Sequence, residues 1–154
     1  MRISLVYPGI VGKGFDSIGQ GMDSGWISHG VAILAACAAQ AGHEVNLIDL
    51  RALKGWDHFR ATLAERRPDV MAVTMMSVDY NPGMRCLTIA REVDPEIVTM
   101  VGGPHPTIMP QELADDPRVD HVFLGEGEET FPDALNRLAR GEALPRIIPG
   151  THPD

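Results

Sequence analysis

Several common signals of function are missing from this sequence, and each absence narrows what the protein can be. Its two cysteines, Cys37 and Cys86, belong to no CxxC pair, so neither a disulfide framework nor a zinc site is predicted. No apolar run approaches the roughly 18 residues that a membrane span requires. The first apolar stretch, residues 1–7, runs directly into Pro8 and Gly9, which is too early for a signal peptide. A cytoplasmic protein is therefore expected.

Basic residues are also scarce. The chain has 13 Lys and Arg against 21 Asp and Glu, a net charge of −8, and this balance disfavours nucleic acid as a partner. The sequence contains no GxxxxGK[ST] phosphate loop, no HExxH pair and no supported Ser-His-Asp arrangement. No catalytic residue and no metal ligand is therefore assigned. The 154 residues, 44% of them hydrophobic, suit one globular domain.

Short apolar runs alternate with helical patterns, which is typical of βαβ units and a parallel sheet. Most runs are continuously apolar, as expected where helices cover both faces of the sheet. The predicted strands are residues 3–7, 45–50, 70–75, 97–101 and 121–124. The predicted helices are residues 29–41, 57–66, one that begins at an Asn81 cap, a short piece after Pro110, and residues 128–140. The fold class is thus α/β, a doubly wound five-stranded parallel sheet.

The unusual residues gather in the loops that follow the strands, which is the edge where such sheets bind ligands. A long glycine-rich loop follows the first strand, and adjacent glycines follow the fourth. Bare backbone of this kind lets a bulky ligand approach closely, although turn formation alone also explains glycine pairs. The predicted ligand-binding residues are Gly12, Ser77, Val78, Tyr80, Gly102, Gly103, Pro104, His105, Gly125, Glu126, Gly127 and Glu128. Glu128 has the alternative role of a helix cap.

Two of these loops carry a recognisable pair of motifs. Residues 102–107 read GGPHPT, and residues 122–130 read VFLGEGEET. Together with residues 31–49, they resemble the N-terminal cobalamin-binding domain of B12-dependent radical SAM proteins. The resemblance implies a flavodoxin-like sheet in the order 2-1-3-4-5, with the corrin over the carboxyl edge and the nucleotide tail inserted into the domain.

The resemblance also carries expectations about the cobalt. Related domains supply a histidine to cobalt from a DxHxxG loop, and here Asp16 and Gly21 have that spacing with Ile18 between them. Cobalamin is therefore expected in the base-off state with no histidine ligand. The family's CxxxCxxC motif for a [4Fe–4S] cluster is missing from this sequence. The cluster and S-adenosylmethionine are therefore expected in a C-terminal radical SAM domain that would act on a small-molecule substrate, as a methyltransferase or ring-forming enzyme.

The expected organisation is a cobalamin-binding domain over residues 1–143 and a proline-rich linker over residues 144–154 that leads towards that further domain. Two other readings stay open: a free-standing corrinoid carrier, and a flavodoxin-like domain that binds FMN or a small metabolite. If the glycine loops border the ligand, bulk at Gly103 and Gly127 should harm binding more than folding.

Overall fold

The computed structural model describes residues 1–20 and 28–151. Its centre is a parallel sheet of six strands in the order β2-β1-β3-β4-β5-β6. The strands are β1 Arg2–Tyr7, β2 Glu44–Asp49, β3 Val70–Thr74, β4 Val98–Gly102, β5 His121–Leu124 and β6 Ile147–Pro149. The helices are α1 His29–Gln40, α2 Trp56–Arg66, α3 Tyr80–Val93, α4 Pro104–Ile108, α5 Pro110–Ala114 and α6 Thr130–Ala139. The predicted α/β class and the order 2-1-3-4-5 are confirmed, with a sixth strand added.

Helices cover both faces of the sheet, and each face has its own apolar core. Alternate strand residues such as Ile3, Leu5 and Met100 pack with α1 and α6 on one face. Their neighbours along the strands pack with α2, α3 and α5 on the other face. Helix α1 is rich in alanine and buries Val31 and Ala38, and the Ser28 hydroxyl caps it by accepting from the Val31 amide.

The sixth strand falls inside the stretch predicted as a linker. Ile147–Pro149 pair with β5, and the Ile148 side chain is buried on the α6 face. The Arg146 guanidinium donates to the Asp116 carbonyl at 2.9 Å and also to the Ala114 carbonyl. Pro149 ends an edge strand, where a missing amide costs no ladder bond. Residues up to 151 are therefore part of the sheet layer, and a further domain beyond them stays a prediction.

The start of α3 differs from the prediction, and α4 was not predicted. The third helix begins at Tyr80 with Asp79 in the cap position, so Asn81 lies inside the first turn. Proline is compatible with the first turn of a helix because those amides lack partners, so Pro82 does not mark the boundary. For the same reason Pro104 and Pro106 lie within α4, a helix not predicted from the sequence. No helix in the described part of the chain is long and apolar enough to cross a membrane.

Candidate cofactor-binding site

A cavity opens at the carboxyl edge of the sheet, on the face covered by α1 and α6. Its volume is about 330 Å³. Apolar side chains from β1, β3, β4 and β5 form its floor, and α1 and α6 form its walls. The lining comprises Leu5, Val6, Tyr7, Ser28, Gly30, Val31, Leu34, Ala72, Val73, Thr74, Met76, Asp79, Met100, Val101, Gly102, Gly103, Pro104, Phe123, Gly125, Glu126, Gly127, Glu128 and Phe131.

Two small residues, Ala72 and Gly102, help to leave this space at the carboxyl end of the sheet. Leu5, Ala72 and Met100 are aligned across three neighbouring strands, and the middle side chain of that row is a single methyl group. One step further along β4 comes Gly102, where an added Cβ would lie 3.5 Å from the Phe123 Cβ. A well-packed core would fill such a row with larger side chains, so the small residues leave room for a ligand.

Seven of the twelve predicted binding residues line this cavity. They are Gly102, Gly103, Pro104, Gly125, Glu126, Gly127 and Glu128. The other five, Gly12, Ser77, Val78, Tyr80 and His105, lie outside it. Glu129 occupies the cap position of α6 and its side chain makes no capping bond, which leaves Glu128 at the cavity rather than in the helix.

The two glycines expected to behave alike differ in their surroundings. Gly103 has φ +105°, and an added Cβ would come within 3.2 Å of the Met75 amide nitrogen and carbonyl oxygen. Gly127 has no such backbone contact, and its Cβ would meet only the Leu34 Cδ2 at 3.2 Å and the Phe131 Cβ at 3.9 Å. The expectation that Gly103 tolerates bulk in folding is therefore wrong, because this glycine is required by the turn. For Gly127 the expectation stays a prediction.

The loops after β3, β4 and β5 are joined by hydrogen bonds. The Met75 amide donates to the Gly102 carbonyl at 2.8 Å, and the His105 amide donates to the Met75 carbonyl at 3.0 Å. Thr107 completes the connection, because its Oγ1 donates to the Gly103 carbonyl at 2.9 Å and accepts from the Gly125 amide at 3.0 Å. The last residue of GGPHPT thus holds the first glycine of the GEGEE segment, so the two motifs are in direct contact.

Replacing Thr107 by valine should loosen this connection. The variant keeps the side-chain shape but loses both hydroxyl bonds, so we expect the free energy of unfolding to fall by about 1 kcal/mol. Urea denaturation of the wild-type protein and the variant measures the difference. Thr107→Ser is the matched control, since it keeps the hydroxyl and should stay close to wild type. A Thr107→Val variant as stable as the wild-type protein would contradict a stabilising role for the two hydroxyl bonds.

One buried carboxyl group faces the cavity and was not predicted as a site residue. Asp79 is 4% exposed, and burial raises the pKa of its carboxyl group, partly offset by a hydrogen bond from the Met76 backbone. A polar group in a largely apolar wall can fix the orientation of a bound molecule. Because the residue also precedes α3, its sequence context indicates only a helix cap.

Several apolar lining residues were missed for a different reason. Val31, Leu34, Phe123 and Phe131 look like ordinary core residues in the sequence, and most of them are indeed buried. The available signal is their position: each lies near the carboxyl end of its strand or the amino end of its helix. Only the combination with the small residues of the sheet shows that they surround a space.

The five predicted residues outside the cavity lie in other parts of the same edge. Ser77 and Val78 are exposed in the loop after β3, and Tyr80 contacts His105 in a T-shaped ring pair at 5.2 Å. Gly12 belongs to the loop after β1, which turns towards the segment after β2 through the bond from the Ser17 amide to the Arg51 carbonyl at 2.9 Å. Gly21, the last residue of the DxHxxG-like spacing, lies outside the described residues.

Several exposed large apolar side chains occur in the segments that follow β1, β3 and β4. Large hydrophobic residues are normally scattered singly over a surface, so several in neighbouring loops indicate a contact surface. Val78 is 64% exposed and Ile108 is 71% exposed. The apolar rim, as we call this group, consists of Val11, Ile18, Met76, Val78, Ile108 and Met109.

Fold and site together define a ligand-binding α/β domain with an apolar cavity that opens beside an apolar rim. Among the described residues, no group of three or more His, Cys, Asp or Glu side chains is arranged to hold a metal ion. The family model of the B12 binding domain matches residues 22–135. The chain belongs to this family of B12-binding domains.

Curated relatives of the chain are larger proteins. It is 30% identical over 148 residues to an anaerobic magnesium-protoporphyrin IX monomethyl ester cyclase of Rubrivivax gelatinosus, covering 94% of this chain and 26% of that protein. It is 32% identical over 114 residues to a hopanoid C-3 methylase of Methylococcus capsulatus, covering 72% of this chain and 22% of that protein. The chain thus spans about a quarter of the length of these relatives.

A solved structure has the same fold. The cobalamin-dependent S-adenosylmethionine radical enzyme OxsB, with aqua-cobalamin and S-adenosylmethionine bound, superposes with a TM-score of 0.68 at 16% identity. The match covers 93% of this chain and 19% of that one. At this identity the similarity establishes the fold.

Proposed function

We propose that this domain holds cobalamin with its nucleotide tail in the cavity and its corrin ring against the apolar rim. The cavity between the sheet, α1 and α6 carries the proposal. It is mostly apolar and open at the carboxyl edge, which suits a flat macrocycle with an aromatic base on a flexible tail. The cavity suits the nucleotide tail of such a ligand, and the adjacent apolar surface suits its corrin ring.

The residues present fit this cofactor by their chemistry. Gly102, Gly125 and Gly127 leave backbone at the mouth of the cavity, and the Asp79 carboxyl group offers a polar contact inside it. When bound, cobalamin would supply a cobalt ion able to carry a methyl group or to change its oxidation state. The domain itself would bind, orient and shield the cofactor.

We propose further that no protein imidazole lies beneath the cobalt. Ile18 occupies the position at which related domains have a histidine, and its side chain is exposed. The His105 ring is buried, with Nδ1 within 3.1 Å of the Ser77 hydroxyl. A second histidine needs testing, since His29 is the first residue of α1 and therefore lies at the same edge of the sheet.

The experiment is a titration of the protein with hydroxocobalamin, followed by reduction and electron paramagnetic resonance of the cobalt(II) form. Tight binding with no nitrogen splitting of the signal supports the proposal. A splitting that changes when histidine is labelled with ¹⁵N would contradict the base-off, histidine-off state, and the His29→Ala variant would then identify the ligand. A protein that does not bind cobalamin contradicts the proposed site altogether.

The relatives suggest the setting of this domain. They include a cyclase and methyltransferases of which it spans about a quarter. We therefore propose that it serves a radical SAM domain that carries the [4Fe–4S] cluster, binds S-adenosylmethionine and acts on a small-molecule substrate. A cytoplasmic location stays a prediction, as does the absence of nucleic acid among its partners.

A further inference from the structure

Behind the apolar rim, four polar side chains from different elements form a connected group. Ser77 Oγ lies 3.1 Å from His105 Nδ1, and His105 Nε2 lies 3.7 Å from Glu112 Oε2. At the other end of the group, burial raises the pKa of the Tyr80 hydroxyl, and the influence of the Glu112 carboxylate raises it further. Ser77 is the exposed end of the group, and it stands between the rim residues Met76 and Val78.

His105 is the unusual member. Its ring is only 9% exposed, and its Nε2 atom is buried without a hydrogen-bond partner among the described residues. A buried polar atom without a partner normally costs free energy. The cost at Nε2 depends on whether this atom carries a proton or a lone pair. The acceptor that faces it is the Glu112 carboxylate, beyond hydrogen-bond distance but close enough for a favourable charge interaction.

This arrangement selects one tautomer of the neutral ring. If Nε2 carried a lone pair, that lone pair would face a carboxylate, which is repulsive. If Nε2 carries the proton, the N–H dipole points at the carboxylate and is stabilised in the buried surroundings. Nδ1 is then an acceptor, and the Ser77 hydroxyl must donate to it.

We propose that Glu112 and His105 together fix the Ser77 hydroxyl as a hydrogen-bond acceptor towards the ligand at the apolar rim. With its proton directed inward, Ser77 Oγ presents only lone pairs to the outside. It then accepts from an N–H donor and repels a carboxylate. On the proposed function, on which this step rests, the matching donors are the primary amides at the edge of the corrin ring. Ser77 thus discriminates in favour of amidated corrins, and His105 and Glu112 are positioning residues.

Two further charged residues influence Tyr80, which lies at the end of the group opposite Ser77. Asp116 and Arg118 influence Tyr80 by charge, with opposite signs. They are themselves paired, Arg118 Nη2 to Asp116 Oδ2 at 2.6 Å. Since a paired couple has little net charge, the charged group that acts most directly on the His105 ring is Glu112, whose Oε2 lies 3.7 Å from Nε2.

The tautomer is tested in the protein without cobalamin. Long-range ¹H–¹⁵N correlation spectra distinguish a protonated from an unprotonated ring nitrogen. For His105 we expect a protonated Nε2 and an unprotonated Nδ1, and a mixture of tautomers in Glu112→Gln. A wild-type spectrum with the proton on Nδ1 overturns the proposal. A merely structural role for Glu112 would leave the tautomer unchanged in the variant.

The ligand preference is tested with cobalamin and with derivatives in which one corrin amide is hydrolysed to a carboxylate. For the derivative altered beside Ser77, we expect the wild-type protein to favour the amide by about three- to tenfold, the effect of one hydrogen bond. Ser77→Ala should lose that preference while binding the other derivatives like cobalamin. An undiminished preference in Ser77→Ala overturns this inference. Failure of the wild type to bind any corrin contradicts the proposed function and the amide preference. The tautomer spectrum still tests separately whether Glu112 and His105 orient the Ser77 hydroxyl.

Discussion

Replacing Gly127 by valine should weaken cobalamin binding by about ten- to a hundredfold while the domain stays folded. The new side chain would start 3.2 Å from the Leu34 Cδ2 atom, the mobile end of a flexible side chain, and would extend into the cavity. The backbone at this position is not in the left-handed region that favours glycine, so little strain is added. Isothermal titration with hydroxocobalamin and thermal unfolding without ligand give the two quantities.

A size series makes the result specific. Gly127→Ala adds one methyl group and should cost less affinity than valine, while Ala64→Val adds similar bulk on an exposed position of α2, away from the cavity. If Gly127→Val binds cobalamin like wild type, the cavity is not the tail site. If its melting temperature collapses instead, this glycine is structural and the loss of binding carries no information about the site.

Gly103→Ala should show the opposite pattern, a loss of stability before any loss of contacts to a ligand. Its φ of +105° is unfavourable for any residue with a Cβ, and that Cβ would press against the Thr74 Oγ1 at 3.1 Å and the Met75 backbone at 3.2 Å. We expect the free energy of unfolding to fall by about 2–3 kcal/mol. For a chain of this size that corresponds to roughly 4–12 °C in the melting temperature.

The matched control for this variant is Gly12→Ala. Gly12 has a similar φ of +97°, but nothing lies within 4 Å of its added Cβ. It therefore measures the backbone strain alone, and the difference between the two variants measures the close approach of the β3 and β4 loops. Equal losses at both positions would mean that the contact with Met75 relaxes without cost.

The sequence allowed the sheet order and the glycines at the cavity to be predicted, because the strands follow from local patterns and the order follows from the resemblance that the paired motifs carry. Strands such as His121–Leu124 are marked by their apolar runs, and Gly102 and Gly125 by their position after those runs. The sixth strand was missed because three residues ending in Pro149 carry no strand pattern of their own. They are held in the sheet by pairing with β5, and such pairing between distant residues has no local signature.

For the cavity, too, some residues could be predicted from the sequence and others could not. That Gly127 borders the site could be predicted from the motif, whereas Leu34 and Phe131 could not, because a residue beside a cavity and a residue in a filled core have the same hydropathy. The role of Gly103 was misjudged because a positive φ and a tight contact with Met75 are properties of the folded backbone. Thr107 was recognised as part of a motif, but its two hydrogen bonds depend on two loops meeting in space.

The bonded loops after β3, β4 and β5 have a consequence for the speed of binding. Since Met75, His105 and Gly125 each have their amide held by a neighbouring loop, none of these loops can open without disturbing the next. The shape of the entrance is thus set before a ligand arrives, and little ordering entropy remains to be lost on contact. Association at such an entrance is limited by encounter and orientation rather than by rearrangement of these three loops.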